Sequence, residues 1–362
     1  MRYLFFHSGT EWSGSARAFV SVAHGLLRRG HAVTFAVEPD STVEGTVSET
    51  ATLPDRPPLE IEAISVRGTW LGAARRLARV SRRHLADVVL VQTDRDHLIA
   101  AIALRLGSHA RVIRRVRAGR SDEIRRTGRL AARLAPTCYI FATEREASAG
   151  TTPRGAVGIA VAPIGVSEVP PQNAADLDGE FVDIVCVHDA SSRSRAAAAI
   201  RAVAMLGPRH PGLRLVIIGE GIYDDDLKMQ AAALGALARV TSLGDRVDHI
   251  EVMRGAKLGW VVASSDTAAY GVLDFMSLGI PVLAPDHTVA RDYLLHDITG
   301  VLVPGDDAFM TAAAAAELLT NDGMREAMGA AGRGRVLREG TEAAMIDGFE
   351  RAADLAIHGR RH

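Results

Sequence analysis

Lysine and cysteine are scarce in this chain of 362 residues. Its two lysines, Lys228 and Lys257, leave arginine to supply nearly all of the 42 basic residues. Its two cysteines, Cys138 and Cys186, exclude a disulfide framework and a cysteine-based metal site, and both lie in apolar runs typical of buried strands. No apolar run approaches the roughly 18 residues of a membrane-spanning helix, so we expect a cytoplasmic protein without a transmembrane segment.

The composition is that of a globular protein, with 48% hydrophobic and 23% charged residues over a length that suits two domains. A net charge of −1 conceals an asymmetry. Residues 1–165 hold 24 arginines against 15 acidic residues, whereas residues 166–362 hold 18 basic against 28 acidic residues. The near-neutral total argues against a nucleic-acid partner. The basic first half leaves open an anionic substrate or a membrane surface.

Apolar, strand-like runs alternate with helical patterns along the chain, which predicts parallel sheets with crossover helices. A segment rich in glycine, proline and alanine, residues 150–171, marks the expected boundary between two Rossmann-like domains. The predicted organisation is a first domain over residues 1–165, a second over 166–340, and a C-terminal helix over 341–362 that packs back towards the first. The expected helix nearest to the later motifs covers Leu273 to Leu278.

A motif in the second half carries a resemblance to a known family. Ser265 precedes Asp266, seven residues separate Asp266 from Asp274, and Phe-Met-Ser-Leu-Gly-Ile-Pro-Val follows at 275–282. This resembles the donor-binding segment of family 4 retaining glycosyltransferases, in which two glutamates of the same spacing precede an Ala-Met-Ala-x-Gly-x-Pro-Val run. Residues 29–33 (Arg-Gly-His-Ala-Val), 163–166 and 215–221 resemble further motifs of that family.

The resemblance implies an α/β architecture of the GT-B type, two doubly wound domains facing across a cleft. It also implies metal-independent, retaining transfer of a sugar from a nucleotide-sugar donor, with no other cofactor. By position, Asp274 would bind the ribose and Asp266 the sugar hydroxyls. The alternatives from the residues alone are that Asp274 is a carboxylate at a helix N-terminus, favoured by the helix dipole, and that Asp266 is an ordinary loop aspartate.

The phosphate-binding positions depart from the family's pattern. His188, Asp189 and Ser194 stand where the family has glycine, arginine and lysine, so two cations that would neutralise a diphosphate are missing there. Arg193 and Arg195 flank the lost lysine, and one of them is expected to contact a phosphate instead. His188 is either a ligand-contacting residue or simply a polar end to a strand.

Five further residues, in three parts of the sequence, belong to the candidate site. The family's Gly-Phe-Gly becomes Thr267-Ala268-Ala269, whose backbone N–H groups are still expected to approach a phosphate, although without the conformational freedom of glycine. Arg117 stands where the family has a histidine near the transferred sugar; it cannot act as a base but suits an anionic group. Gly14, at the first strand-to-helix turn, belongs either to a ligand loop or to a packing turn.

Two readings of function stay open. The first is a retaining glycosyltransferase with an unknown acceptor, anionic or lipid-linked. The alternative is a catalytically silent GT-B relative that serves as a binding or regulatory subunit of an active partner glycosyltransferase. The basic helix predicted from Trp70 to Leu85 is likewise ambiguous: it groups Trp70, Leu77, Val80 and Leu85 opposite its arginines, and suits either peripheral contact with an anionic membrane or an ordinary solvated helix.

Overall fold

A computed structural model describes residues 1–51, 58–119, 126–149, 155–169, 182–189, 191–219, 224–244, 249–304 and 307–359, with the side chains of Arg193, Asp224 and Thr288 left out. The chain divides into two compact units. The first unit contains Met1–Ile164 together with the C-terminal helix, and the second contains Gly165–Thr341. Each unit is a parallel β-sheet with helices packed on it.

The first unit alternates strands and helices. Its strands are β1 (Arg2–His7), β2 (Ala32–Val37), β3 (Glu60–Ala63), β4 (Val88–Val91), β5 (Arg111–Arg115), β6 (Thr137–Phe141) and β7 (Ala156–Val161). Its helices are α1 (Gly14–Arg28), α2 (Thr42–Ala51), α3 (Trp70–Arg83), α4 (Asp94–Arg105), α5 (Arg126–Leu134), α6 (Glu144–Ala149) and, at the C-terminus, α14 (Glu342–His358).

The first sheet has the order β3-β2-β1-β4-β5-β6-β7, and all of its paired strands are parallel. Strands that follow β1 are added on one side of it up to β3, and from β4 onward they are added on the other side. The strand order therefore reverses between β1 and β4. Such a switch point opens a crevice at the carboxyl ends of the strands, which is where ligands bind in open α/β sheets. Alternate side chains fill two cores, one beneath α1 and α14 and the other beneath α3 and α4.

The second unit repeats this scheme. Its strands are β8 (Val182–His188), β9 (Leu215–Gly219), β10 (Val240–Gly244), β11 (Ala256–Val261), β12 (Val282–Pro285) and β13 (Gly300–Val303). Its helices are α7 (Arg193–Leu206), α8 (Asp224–Ala233), α9 (His249–Arg254), α10 (Ser265–Ser277), α11 (Thr288–Tyr293), α12 (Ala308–Thr320) and α13 (Asp322–Glu339). The parallel order β10-β9-β8-β11-β12-β13 places the switch point between β8 and β11.

Several elements differ from the sequence expectation, among them β7, α2 and α10. β7 lies inside the segment that we assigned to the domain boundary, and it pairs with β6 as the edge strand of the first sheet. α2 was not predicted; within it only Val43 and Val47 are buried, too few for an apolar periodicity. The helix expected at Leu273 begins eight residues earlier, at Ser265, which changes the position of both motif aspartates.

Candidate functional site

Helix α10 carries both motif aspartates. It starts directly after β11, so its N-terminus lies at the carboxyl edge of the second sheet, beside the switch point. Asp266 lies in its first turn and is 1% exposed, and Asp274 lies near its other end and is also 1% exposed. Eight residues along an α-helix separate the two positions by about 12 Å. The two carboxylates are therefore too far apart to bind the same group and would contact different parts of a ligand.

The interpretation of Asp274 as a carboxylate at a helix N-terminus is wrong, because Asp274 lies in the last turns of α10. The helix dipole disfavours a negative charge there, so the Asp274 carboxylate must be stabilised by other interactions. One partner is His249, the first residue of α9, whose Nε2 lies 3.4 Å from an Asp274 carboxylate oxygen. Sequence reasoning missed His249, since α9 follows a segment without a motif.

Asp189, which replaces an arginine of the family, is a cross-link between two loops. One carboxylate oxygen accepts hydrogen bonds from the Ser191 N–H at 3.0 Å and from its hydroxyl at 2.8 Å. The other accepts from the Ser264 N–H at 2.6 Å and from its hydroxyl at 2.9 Å. Ser191 follows β8 and Ser264 precedes α10, so this Asp189 clip joins the carboxyl ends of β8 and β11.

The N-terminus of α7 lies next to the Asp189 clip. The Ser192 hydroxyl bonds to the backbone of Asp189 rather than to its own helix, so α7 has no side-chain N-cap bond. Arg195 donates from Nε to the Val262 carbonyl at 2.7 Å, which anchors its guanidinium at the end of β11. Within the described part of the chain Arg195 has no carboxylate partner. A helix N-terminus beside an anchored arginine suits a phosphate.

The other predicted phosphate contacts include Arg193 and the N–H groups of residues 267–269. The side chain of Arg193 lies outside the described residues. Ala268 and Ala269 lie inside α10, and the Ala268 N–H donates to the Ser264 carbonyl at 3.1 Å, so the expectation that these N–H groups approach a phosphate is wrong for Ala268. Thr267 is half-buried in the first turn of the helix.

Ser265 is a feature of the site that the sequence did not reveal. Its φ of 53° places a non-glycine residue in the left-handed region, which costs of order 1–3 kcal/mol. Its hydroxyl is buried and has no hydrogen-bond partner among the described residues. Strain of this kind is often found at functional sites, and here it lies between the Asp189 clip and Asp266.

Two histidines border the same edge. His188 ends β8 and is 2% exposed, and the β9 terminus packs so closely on it that a Cβ at Gly219 would lie 2.0 Å from the His188 carbonyl oxygen. His287 accepts a hydrogen bond at Nδ1 from the Ala290 N–H at 3.3 Å. Burial lowers the pKa of His287, and the charge of Arg195 lowers it further. The edge is thus neutral at His287 and cationic at Arg195.

The first unit, taken by itself, contains two of the predicted residues. Gly14 is the first residue of α1, after the N-cap Ser13, whose hydroxyl accepts from the Ala16 N–H at 3.3 Å. Arg117 is half-buried just beyond β5, at the carboxyl edge of the first sheet. Its charge, after burial, contributes to lowering the pKa of His7 at the end of β1 to about 4. Gly14, His7 and Arg117 therefore lie around one edge.

Helix α3 exposes both charge and apolar surface. Arg75, Arg79, Arg82 and Arg83 are exposed, and Leu77 and Val80 are buried. Of the other two residues in the predicted apolar group, Trp70 is 42% exposed, and Leu85, which lies beyond the end of the helix, is 62% exposed. Among the described residues, no helix combines the length and apolar character needed to cross a membrane.

Known proteins resemble this chain in its overall fold and, in sequence, over most of its second unit. Residues 172–335 match the family model of the glycosyl transferases group 1. HepE of Anabaena, solved with UDP and glucose, superposes with a TM-score of 0.78 at 15% identity, over 97% of this chain and 98% of that one. The sucrose-phosphate synthase of Thermosynechococcus elongatus gives 0.75 at 14% identity, over 97% and 98%.

Two curated relatives from Mycobacterium tuberculosis match part of the chain. A GDP-mannose-dependent alpha-(1-6)-phosphatidylinositol monomannoside mannosyltransferase is 30% identical over 190 residues, and a phosphatidyl-myo-inositol mannosyltransferase is 31% identical over 152. These alignments cover 49% and 40% of both chains, so the chain spans about half the length of the curated relatives it matches. The predicted resemblance is confirmed: the chain has the GT-B fold, and residues 172–335 are similar to the glycosyl transferases group 1.

Proposed function

We propose that this chain transfers a hexose from a nucleoside diphosphate sugar to a hydroxyl group of an anionic acceptor, with retention at the anomeric carbon. The observation that carries the proposal is the placement of Asp266 and Asp274 on one helix that starts beside the N-terminus of α7 and Arg195. In such a donor the hexose and the ribose lie on opposite sides of two phosphates. Two separated carboxylates with a cationic edge near one of them suit that arrangement.

Each residue then has one task. Asp274, whose carboxylate is contacted by the His249 ring, would accept hydrogen bonds from both ribose hydroxyls. Asp266 would bind hydroxyl groups of the hexose. Arg195 and the N–H groups at the start of α7 would bind the diphosphate, and so replace the cations that Asp189 and Ser194 do not supply.

The transfer step needs no side chain as a base. The bond from the anomeric carbon to the phosphate oxygen breaks, and the diphosphate departs with added negative charge that Arg195 stabilises. The acceptor oxygen bonds to the anomeric carbon on the same face, and its proton passes to the departing phosphate oxygen. An arginine at position 117 is compatible with this route, because a residue there would bind an anionic acceptor rather than remove a proton.

Turnover tests the proposal directly. The relatives' names make GDP-mannose with vesicles containing phosphatidylinositol the first donor and acceptor to try, followed by UDP-glucose. We expect release of the nucleoside diphosphate that depends on the acceptor, and a product whose anomeric proton coupling shows retention. A donor that binds but is never consumed, with any acceptor, would contradict transfer and favour the silent binding subunit.

We further propose that α3 brings the protein to an anionic membrane surface. Its exposed Trp70 and Leu71 lie four to nine residues, about one to two and a half turns, before the exposed Arg75 and Arg79, a pattern of interfacial helices. At low salt we expect the protein to float with phosphatidylglycerol vesicles. We do not expect it to float with phosphatidylcholine vesicles. The double variant Arg75→Glu/Arg79→Glu is expected to lose most of this binding, since each basic residue contributes about 1 kcal/mol at such a surface.

The control for the flotation experiment is Arg338→Glu, which removes an exposed arginine from α13 of the second unit. It makes the same change of charge at one position and is expected to float like the parent protein. Equal flotation of the double variant and the parent would show that α3 is an ordinary solvated helix.

A further inference from the structure

A cavity of about 550 Å³ opens at the amino-terminal edge of the first sheet. It is lined by residues at the starts of β1, β4 and β5, where the Asp87 N–H donates to the Arg2 carbonyl at 2.9 Å and the Arg111 N–H donates to the Asp87 carbonyl at 2.8 Å. Ligands of open α/β sheets bind at the opposite, carboxyl edge, which at His7 lies about 17 Å away along β1. This amino-edge cavity belongs entirely to the first unit and is separate from its carboxyl edge.

The walls of the amino-edge cavity are held in place by hydrogen bonds. They consist of the end of α3 and the loop at residues 106–110. The buried hydroxyls of Ser81 and Ser108 lie 2.8 Å apart and join the two walls. Arg82 donates from Nη1 to the Leu106 carbonyl at 2.8 Å, so its guanidinium is already oriented at the cavity. A charged side chain held in this way loses little conformational freedom when a ligand binds.

Two positive charges in the cavity lack a counter-charge. Arg2 is paired with Asp87, whose carboxylate lies 3.3 Å from the Arg2 guanidinium and accepts the Arg2 N–H at 2.7 Å. Arg82 and Arg111 have no carboxylate partner within the described part of the chain. A phosphate monoester carries nearly two negative charges at pH 7, and its three oxygens accept hydrogen bonds from arginine, so it matches both side chains. A carboxylate would leave one of the two arginines uncompensated.

Leu85 gives the cavity an apolar side and has an uncommon backbone conformation. Its φ of 50° lies in the left-handed region. Helix α3 ends there in a Schellman motif, in which the Leu85 N–H donates to the Arg82 carbonyl at 3.2 Å and the Ala86 N–H donates to the Ser81 carbonyl at 2.9 Å. Glycine is the usual residue at this position, because a Cβ is disfavoured in the left-handed region.

Four other helices of this chain end in the same motif, and each has glycine at the left-handed position. The glycines are Gly30 after α1, Gly107 after α4, Gly235 after α8 and Gly279 after α10. Leu85 therefore departs from the pattern of its own chain. Its side chain is 62% exposed, so packing inside the protein does not account for it. What it does supply, together with Ile357 of α14, is apolar surface beside the two arginines.

We propose that the amino-edge cavity binds a phosphate monoester that carries an apolar group. The phosphate lies between Arg82 and Arg111, and the apolar group covers Leu85. A volume of about 550 Å³ is typical of sites for small ligands. Because the cavity lies at the edge opposite to the usual ligand crevice, the compound is an effector rather than a substrate. This site goes beyond the proposed transfer reaction and does not depend on it.

Isothermal titration calorimetry of the full chain with hexyl phosphate tests the proposal. We expect saturable binding at least tenfold tighter than that of inorganic phosphate, which lacks the apolar group, or of hexanoate, which has a single negative charge. The ring C–H signals of His109, which lines the cavity, are expected to shift in NMR spectra during the titration, and their loss in His109→Phe identifies them. Equal affinity for the three compounds would overturn the proposal.

Arg111→Gln is expected to weaken the binding of hexyl phosphate at least tenfold, since it removes one of the two charges that neutralise the phosphate. The matched control is Arg79→Gln, which removes an exposed arginine of α3 that lies three residues before Arg82 and does not line the cavity. It is expected to bind hexyl phosphate like the parent. Equal losses in the two variants would show that a basic surface attracts phosphate without a defined site, which contradicts the proposal.

Leu85 is tested by two substitutions that differ in their effect on the backbone. Leu85→Ala and Leu85→Gly are both expected to weaken the binding of hexyl phosphate about fivefold and to leave that of inorganic phosphate unchanged. Leu85→Gly is also expected to raise Tm by about 2–4 °C, because glycine adopts the left-handed conformation without strain. Leu85→Ala is expected to melt within about 1 °C of the parent. Unchanged hexyl phosphate affinity in both variants would refute the apolar contact.

Nucleotide titrations of the same variants keep this proposal apart from the proposed function. Variants of the cavity are expected to bind nucleoside diphosphates within about twofold of the parent, because the donor residues belong to the second unit. If no nucleotide binds the parent, the transferase proposal fails while the hexyl phosphate titration still decides the role of the cavity.

Flotation with vesicles that contain phosphatidic acid identifies the source of the phosphate monoester. Loss of flotation on adding excess hexyl phosphate would identify a membrane lipid as the ligand, and persistent flotation would identify a soluble ester. Either source supports the proposal, provided that Arg111→Gln shows the expected loss of hexyl phosphate binding.

Discussion

Asp274→Ala is expected to weaken the binding of a nucleoside diphosphate about 100-fold. The substitution removes the carboxylate that would accept hydrogen bonds from both ribose hydroxyls, and hydrogen bonds to a charged group are worth about 1.5–3 kcal/mol each. A loss of about 3 kcal/mol corresponds to roughly two orders of magnitude in Kd. It also leaves the His249 imidazole without the carboxylate that it now contacts at 3.4 Å. Isothermal titration calorimetry measures the change.

The matched control for Asp274 is Glu326→Gln, which removes the same charge from an exposed position on α13. Its nucleotide affinity is expected to equal that of the parent. The melting temperature of each variant reports whether the fold is intact. An unchanged nucleotide Kd in folded Asp274→Ala would remove the ribose assignment and, with it, the parallel to the family's second glutamate.

Asp189→Arg is expected to lower the stability of the protein rather than restore the family's phosphate contact. The Asp189 carboxylate accepts four hydrogen bonds from Ser191 and Ser264, so an arginine there leaves those donors unpaired and adds a positive charge. We expect a loss of about 2–4 kcal/mol in the free energy of unfolding, which lowers Tm by about 5–15 °C for a unit of this size. Nucleotide affinity is expected to fall as well, because the clip holds the start of α10.

Asp189→Ala separates the two effects of the arginine variant. It removes the same four hydrogen bonds without adding a cation, and calorimetric melting is expected to show a similar drop in Tm. Glu326→Ala is the control and is expected to melt within about 1 °C of the parent, since exposed substitutions away from such features are nearly neutral. An arginine variant as stable as the parent, with tighter nucleotide binding, would show that position 189 remains a phosphate position.

The fold was predictable from the sequence because its central strands are buried on both faces. β2 agrees residue for residue with the apolar run Ala32 to Val37. The turn residue Gly30, with φ 82°, ends the preceding helix segment as the sequence indicated. Parallel strands of this kind are recognisable as continuous apolar runs without any knowledge of their partners.

The start of α10 was not predictable in the same way. Its first five residues, Ser265 to Ala269, contain two alanines but no large apolar residue, so no helical periodicity is visible. The helix is stabilised by close packing on the sheet, where Gly271 lies near Val261 and Val187, and a Cβ at Gly259 would meet the Phe275 ring at 2.4 Å. Such small-residue contacts depend on tertiary structure and leave no local signal.

The sequence offers the candidate residues of the site but not the connections between them. The spacing of Asp266 and Asp274 makes both carboxylates candidates, and the substitution at Asp189 is visible as a missing cation. That Asp189 binds Ser264, 75 residues away in the sequence, depends on β8 and β11 lying side by side. The contact of His249 with Asp274 and the strained Ser265 are likewise products of the folded chain.

The central claim is that the second unit binds a nucleoside diphosphate although two expected cations are missing. Calorimetric titration of the parent protein with GDP, UDP and ADP tests it most directly. We predict that at least one of the three binds with a Kd below about 1 mM, equivalent to about −4 kcal/mol, with the discrimination set by the base. Failure of all three to bind at that level would contradict the claim.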